Sequence, residues 1–288
     1  MSRANTWSPS TSQARSASAS QLLSNRPNSA SAFSGGANAS SRAQLQQFAN
    51  QHPNTQSLAG SNLGSLANQG SLANRNVLGN QLRNQISQQH PDRGNWFNDR
   101  FWQNQNFRPS YWDSGANWWN YDSWANVNSW LPYEWGTPLY YDNNGQPVDA
   151  SSEQNGSYTQ NTSSQVQAYS TSTSSAQPTS TGNSDWIPLG VFAVASSATD
   201  SVPVMFFQLA LNKEGTLSGS YYNQASNTTY PLDGIVDKNS QKAIWKISVG
   251  QNSPVFETGI YNLTLPQTPM QVYFGDESQN WLMVHVNS

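Results

Sequence analysis

Glu257 and Asp233 are the one pair of side chains in this chain whose setting suits acid–base chemistry. Both fall on strand-like segments, and at the mouth of a small barrel they would form the carboxylate pair that glycoside hydrolysis needs. The plainer expectation is two outward, solvated carboxylates, because acidic residues on strands ordinarily face water. The three histidines do not assemble by sequence: His52 and His90 lie in a polar N-terminal stretch, and His285 alternates with Met283 and Trp281 near the C-terminus. None has a partner at metal-ligand spacing, so no metal site is expected, and His285 is expected to be a satisfied or surface histidine. There is no cysteine, which removes disulfides, thiolate metal sites and Cys nucleophiles together. Neither G-x-S-x-G, a P-loop nor H-E-x-x-H occurs. The expectation is a protein that is not an enzyme and carries no cofactor.

Aromatic side chains supply the other chemistry. Eight of the twelve tryptophans, Trp96, Trp102, Trp112, Trp118, Trp119, Trp124, Trp130 and Trp135, crowd into residues 95–135. Tryptophan and tyrosine stack on sugar rings and on bases, and they also build cores where aliphatic residues are scarce. Asp113 or Ser114 is expected to cap a helix running to about Leu131, ended by Pro132. On that helix Trp118, Tyr121, Trp124, Val127 and Leu131 share a broad face. Trp119 and Trp130 project from the other side, which makes them the candidate contact residues. A small hairpin follows around Asn144-Gly145.

The elements that must position these residues lie downstream. Over residues 185–288 strand-like runs recur every 10–14 residues, each closed by a turn signal such as Asn212-Lys213-Glu214-Gly215 or Pro266-Gln267-Thr268-Pro269. Strands are expected over 186–194, 204–211, 216–223, 228–236, 243–249, 255–263, 270–274 and 281–286. Sequential hairpin-joined strands close most simply into an eight-stranded antiparallel up-and-down barrel, which leaves no open edge. The fold class is therefore all-β in its C-terminal domain, residues 185–288. A Trp-rich, partly helical segment, residues 92–149, and a Ser/Thr/Gln-rich linker, residues 150–184, precede it. Residues 1–91 are low-complexity and expected to be mostly disordered, because so polar a chain cannot offset the entropy of ordering it. Two short helices are expected in that arm, over 43–51 and 77–89. The second carries Leu78, Leu82 and Ile86 at i, i+4, i+8 spacing, a stripe that needs something to dock against.

Asp185-Trp186-Ile187-Pro188-Leu189-Gly190-Val191-Phe192-Ala193, Gly219-Ser220-Tyr221-Tyr222-Asn223, Gly259-Ile260-Tyr261-Asn262-Leu263-Thr264 and Val272-Tyr273-Phe274-Gly275 resemble, in order and spacing, a family of uncharacterised bacterial cell-surface proteins often labelled mu-protocadherin-like. The resemblance implies a secreted or cell-surface location and brings no activity. The calcium-dependent adhesion in that label has no residues behind it, since no Asp-x-Asn-Asp-Asn cage occurs. Residues 207–221, with Leu232-Asp233-Gly234, Trp245 and Thr258-Gly259-Ile260-Tyr261, are similar to avidin-type barrels. That similarity implies that Tyr221 and Asn223 line a pocket. Val249 and Glu257 stand where that family has pocket tryptophans, which argues against biotin.

Charge is sparse and divided: residues 1–108 carry nine Arg against Asp92 and Asp99, and residues 109–288 carry four Lys against fourteen acids. No cluster of basic residues marks a nucleic-acid footprint. No run is long enough to cross a membrane as a helix, and the first residues show no apolar signal-peptide core. The expected function is a structural or binding role at the cell envelope, contacting carbohydrate or an envelope polymer through aromatic side chains. Alternatives are a barrel that holds one small ligand and a glycosidase-like enzyme using Glu257 and Asp233.

Overall fold

The computed structural model describes residues 39–51, 72–105, 109, 119–143, 145–150, 185–196, 203–248, 253–274 and 277–287. The linker 151–184 and the first 38 residues lie outside them. Helices α1 (Ala39–Gln51), α2 (Leu72–Gln89), α3 (Asp99–Gln103) and α4 (Trp124–Trp130) come first, then a two-stranded hairpin, β1 (Leu139–Tyr141) and β2 (Pro147–Asp149). Eight strands follow: β3 (Trp186–Ala195), β4 (Met205–Asn212), β5 (Thr216–Asn223), β6 (Thr228–Asp237), β7 (Lys242–Ile247), β8 (Val255–Gly259), β9 (Gln267–Phe274) and β10 (Glu277–His285). They form a closed antiparallel barrel in sequential order, with β10 paired to β3. The up-and-down closure expected from the spacing of strands and turns is therefore the one observed.

Several strand ends differ from expectation, β10 for one beginning at Glu277 rather than 281; two have a visible cause. β8 stops at Gly259, and a single 3-10 turn, Asn262–Thr264, takes over where the strand was expected to continue. Buried Asn262 causes this: its amide bonds the Tyr141 backbone twice, accepting from the nitrogen at 2.9 Å and donating to the oxygen at 2.8 Å. β9 begins at Gln267, inside the expected Pro-Gln-Thr-Pro turn. Pro269 is tolerated there because its carbonyl side faces β8, where the paired ladder has already ended at Gln271 and the Thr258 hydroxyl donates to that carbonyl at 2.8 Å.

The interior is aromatic. Phe207, Trp245 and Phe256 pack with ring centroids 5.0–6.0 Å apart, with Tyr221 against Phe207 and Trp281 against Phe256. Part of the outward-facing set is apolar as well, and the upstream helices cover that part. Leu78 and Leu82 of α2 pack on Ala195, Leu282 and Val284, while Ile86 joins Trp96, Phe97 and Trp102 on Val191, Ala193, Phe206 and Tyr222. Leu45 and Ala49 of α1 pack on Ile235 and Ile244. The two short helices expected in this arm are present, each beginning a few residues earlier than expected. Each is too polar to stand alone, but a buried Leu or Ile contributes roughly 1.5–3 kcal/mol once a surface is offered. Arg83 fastens α2 further by donating to the Pro266 carbonyl and the Gln267 side chain, each at 3.2 Å.

One end of the barrel is closed from outside. Tyr121 stacks on the His285 imidazole, centroids 3.7 Å apart and 18° from parallel, with Phe192 at 4.0 Å on the same histidine. Gly190 makes room: at φ +95° it carries the bulge in β3, and a Cβ there would lie 2.8 Å from the His285 ring. His285 Nε2 donates to the Leu263 carbonyl at 3.0 Å. Complete burial holds the imidazole neutral, with its pKa pushed down to about 3. The unfolded chain takes up a proton near pH 6.5 that the folded protein refuses, so His285 favours folding fully only above that pH. The unfolding free energy from urea titration should therefore fall as pH drops from 6.5 to 5, by up to about 1.4 kcal/mol per pH unit. His285→Gln should flatten that slope, and equal slopes in both proteins would refute the assignment.

Candidate functional site

Residues 119–150 form a cap on that end of the barrel, and they bind chiefly to the backbone of the hairpin tips. Tyr133 Oη donates to the Glu214 carbonyl at 3.0 Å, Trp135 Nε1 to the Lys238 carbonyl at 2.8 Å, and Tyr141 Oη to the Ser240 carbonyl. Gln241 accepts from the Leu139 nitrogen at 3.0 Å and donates to the Thr137 carbonyl at 2.9 Å. Because these bonds reach main-chain atoms at turns, the cap reads the barrel's end by shape. The helix expected from residue 113 or 114 to Leu131 is shorter, Trp124–Trp130, capped by the Ser123 hydroxyl accepting from the Asn126 nitrogen at 3.4 Å. Residues 119–123 are not helical, which lets Tyr121 reach His285; residues 111–118 lie outside the described residues.

The shortened helix redistributes the tryptophans. Trp119, expected to project, packs on the Phe97 cluster and donates from Nε1 to the Trp96 carbonyl at 2.8 Å. Trp130 stays half-buried at the surface, with Lys213 Nζ 4.7 Å from its ring centroid. Trp124, expected on the broad buried face, is half-buried and stacks on Trp135, centroids 6.0 Å apart and 11° from parallel. Tyr261 meets Trp124 edge-on at 5.5 Å and Tyr133 meets Trp135 at 5.1 Å. A strip of four half-buried rings thus runs across the cap. Nothing local marks Trp124 and Trp135 as partners, since eleven residues and a turn separate them. The exposed charges around the strip balance, Lys213 and Lys238 against Glu134 and Glu214. Burial, followed by Asp237 and Glu214, raises the Tyr133 phenol and keeps it neutral.

Polar atoms in the cap are incompletely satisfied. Asp122 is buried; its Oδ1 accepts from Asn126 Nδ2 at 3.0 Å, and its Oδ2 has no partner. Burial raises its pKa, opposed by the Asn126 bond. Asn128 donates to the Trp135 carbonyl at 3.2 Å, leaving its Oδ1 unbonded, and Trp130 Nε1 is likewise buried without an acceptor.

Tyr221 and Asn223 lie elsewhere, on the inner wall toward the opposite end of the barrel, where Asn223 Nδ2 donates to the Tyr221 hydroxyl at 3.2 Å. Burial raises the Tyr221 phenol. The fold therefore brings Trp130 to the cap strip, leaves Trp119 in a packing cluster, and keeps Tyr221 and Asn223 apart from both. Glu257 and Asp233 do not meet at a barrel mouth. Glu257 points outward from β8 beneath the cap hairpin and is fully buried in an ion pair with Lys242, Nζ to Oε1 2.8 Å, under the Tyr141 ring. Asp233 accepts from the Ser248 hydroxyl at 2.5 Å. Its register partner is Lys246, whereas Glu257 pairs with Ile244, so the two acids sit on different rungs. The solvated carboxylate expected at Glu257 is instead an acid that needs its lysine. Among the described residues no group of His, Asp and Glu is placed to hold a metal, and no helix is long and apolar enough to cross a membrane.

No family model, no curated protein and no solved structure matches this chain. These comparisons therefore support neither the expected similarity to mu-protocadherin-like surface proteins nor that to avidin-type barrels.

The ion pair gives a direct test of the site's electrostatics. Lys242→Met should destabilise the protein by about 3–5 kcal/mol because it strands a buried carboxylate. Adding Glu257→Gln should recover most of the loss in a chemical denaturation series. A double variant no more stable than Lys242→Met would remove the pair from the account of this wall.

Proposed function

We propose that this protein is a non-enzymatic binding module acting outside the cell or at its surface, and that the cap is where it contacts carbohydrate or an envelope polymer. One observation carries the reading: the strip Tyr261–Trp124–Trp135–Tyr133 leaves four aromatic rings partly exposed, two of them hydrogen-bonded to the barrel's hairpin tips. Rings held this way lose little conformational entropy when a sugar face or another flat apolar surface stacks on them. The surface location follows from the similarity to bacterial surface proteins stated above.

The other two readings have less behind them. A small ligand inside the barrel competes with Phe207, Trp245, Phe256 and Trp281, which fill the middle of the interior. Tyr221 and Asn223 at the far end are what remain for it. A glycosidase acting through Glu257 requires a carboxylate that is not held by a buried lysine.

Affinity electrophoresis through gels containing soluble glycans or cell-wall polymer tests the proposal. Trp124→Ala and Trp135→Ala should weaken retardation about 3- to 10-fold each, with little change in melting temperature, as expected for loss of one stacking partner. Trp119→Ala should instead lower the melting temperature, because its ring is part of the packing under α2. Wild-type protein that no polymer retards, or retardation indifferent to Trp124 and Trp135, would end the proposal.

A further inference from the structure

The aromatic strip is flanked by charge that the chain does not use on itself. Lys213, Glu214, Glu134 and Lys238 are all exposed, and among the described residues none of them has an opposite charge within ion-pair distance. They gather at Tyr133. Glu134 is its chain neighbour, the Glu214 carbonyl accepts its hydroxyl at 3.0 Å with Lys213 one residue away, and Lys238 Nζ lies 5.9 Å from its ring centroid. Tyr133 and Trp135 both reach toward hairpin tips, and Glu134 between them takes up φ +52° and keeps its side chain in solvent. Lys213 and Lys238 lie over the Trp130 and Tyr133 rings, and each can swing from its ring to a carboxylate, since an exposed cation–π contact is weak.

Two lysines and two glutamates, 2 − 2 = 0, give this patch no net pull on a uniformly charged partner. They do make it complementary to itself. A two-fold axis sets a surface against its own copy, so the two lysines meet a patch that carries two glutamates, and rings meet rings. Tryptophan and tyrosine are enriched at the centre of protein interfaces, with charged side chains at the rim. A second copy is thus the partner whose charges match by construction. We propose that the strip is a self-association surface on which two copies of this chain pair about a two-fold axis. Trp124, Trp135, Tyr133 and Tyr261 lie at its centre, and Lys213 and Lys238 face Glu134 and Glu214 of the second copy across the rim. The same rings carry the polymer contact proposed above, so dimer and polymer exclude each other.

Sedimentation equilibrium of the full-length protein over a concentration series tests this. Wild type should move from monomer to dimer mass as its concentration rises to the order of 100 µM, the weak affinity of a small interface. Trp124→Ala should raise the dimer dissociation constant about 10-fold, as loss of a central tryptophan does. Charge reversal adds a readout that packing alone would not move. Glu134→Lys makes each patch 3 − 1 = +2 and Lys213→Glu makes it 1 − 3 = −2, so neither variant should dimerise by itself. Mixed in equal amounts, the two should form a heterodimer at least as tight as the wild-type dimer and loosened by salt. Melting temperatures check that each variant is folded. Wild type that stays monomeric up to about 1 mM overturns the proposal, and retardation by a polymer in that case leaves the polymer reading standing alone. A dimer that the reversed charges neither break singly nor restore on mixing also overturns it. A dimer with the expected responses, in a protein that no polymer retards, upholds self-association and ends the polymer reading.

Discussion

A large part of the barrel's outer wall is apolar, and that constraint organises the rest of the molecule. In a barrel that faces water, alternate side chains along each strand are polar. Here nine of the ten residues of β3 are buried, and Val191, Ala193, Phe206, Tyr222, Ile235, Ile244, Leu282 and Val284 face outward onto other parts of the chain. Left bare, such a wall would associate non-specifically. α1, α2 and the Trp96–Trp102 cluster cover much of it, and the wall in turn supplies the burial that these polar helices lack. Barrel and arm thus each bury apolar surface that the other would leave exposed.

The cap depends on the same exchange at the barrel's end. Tyr121 over His285 closes the floor, and Gly190 is the residue whose missing side chain lets the two rings approach. From that point the chain crosses the hairpin tips, bonding main-chain carbonyls with Tyr and Trp side chains. A buried ion pair, Lys242 with Glu257, lies beneath the cap hairpin. Buried pairs add little net stability over apolar packing, but a broken one is costly, so Lys242 and Glu257 enforce the seating of the hairpin over β7 and β8.

The barrel was legible from sequence because its signals are local. Alternation of side chains and turn residues at regular spacing depend only on near neighbours, and β5 and the starts of β3, β6 and β8 coincide with the expected strands. Leu78, Leu82 and Ile86 likewise announced a helix in need of a surface. The departures arose where residues far apart in sequence meet. Asn262 ended β8 early because it bonds Tyr141, more than a hundred residues upstream; Tyr121 kept residues 119–123 out of a helix because His285 awaited it; and Glu257 lost its solvent because Lys242 and the cap enclosed it. The candidate surface belongs to that second kind. Composition determined that aromatic rings would dominate residues 95–135, but the end of the barrel decided which rings are held open, pairing Trp124 with Trp135 and withdrawing Trp119, since only three-dimensional contact distinguishes a ring that packs from one that is presented.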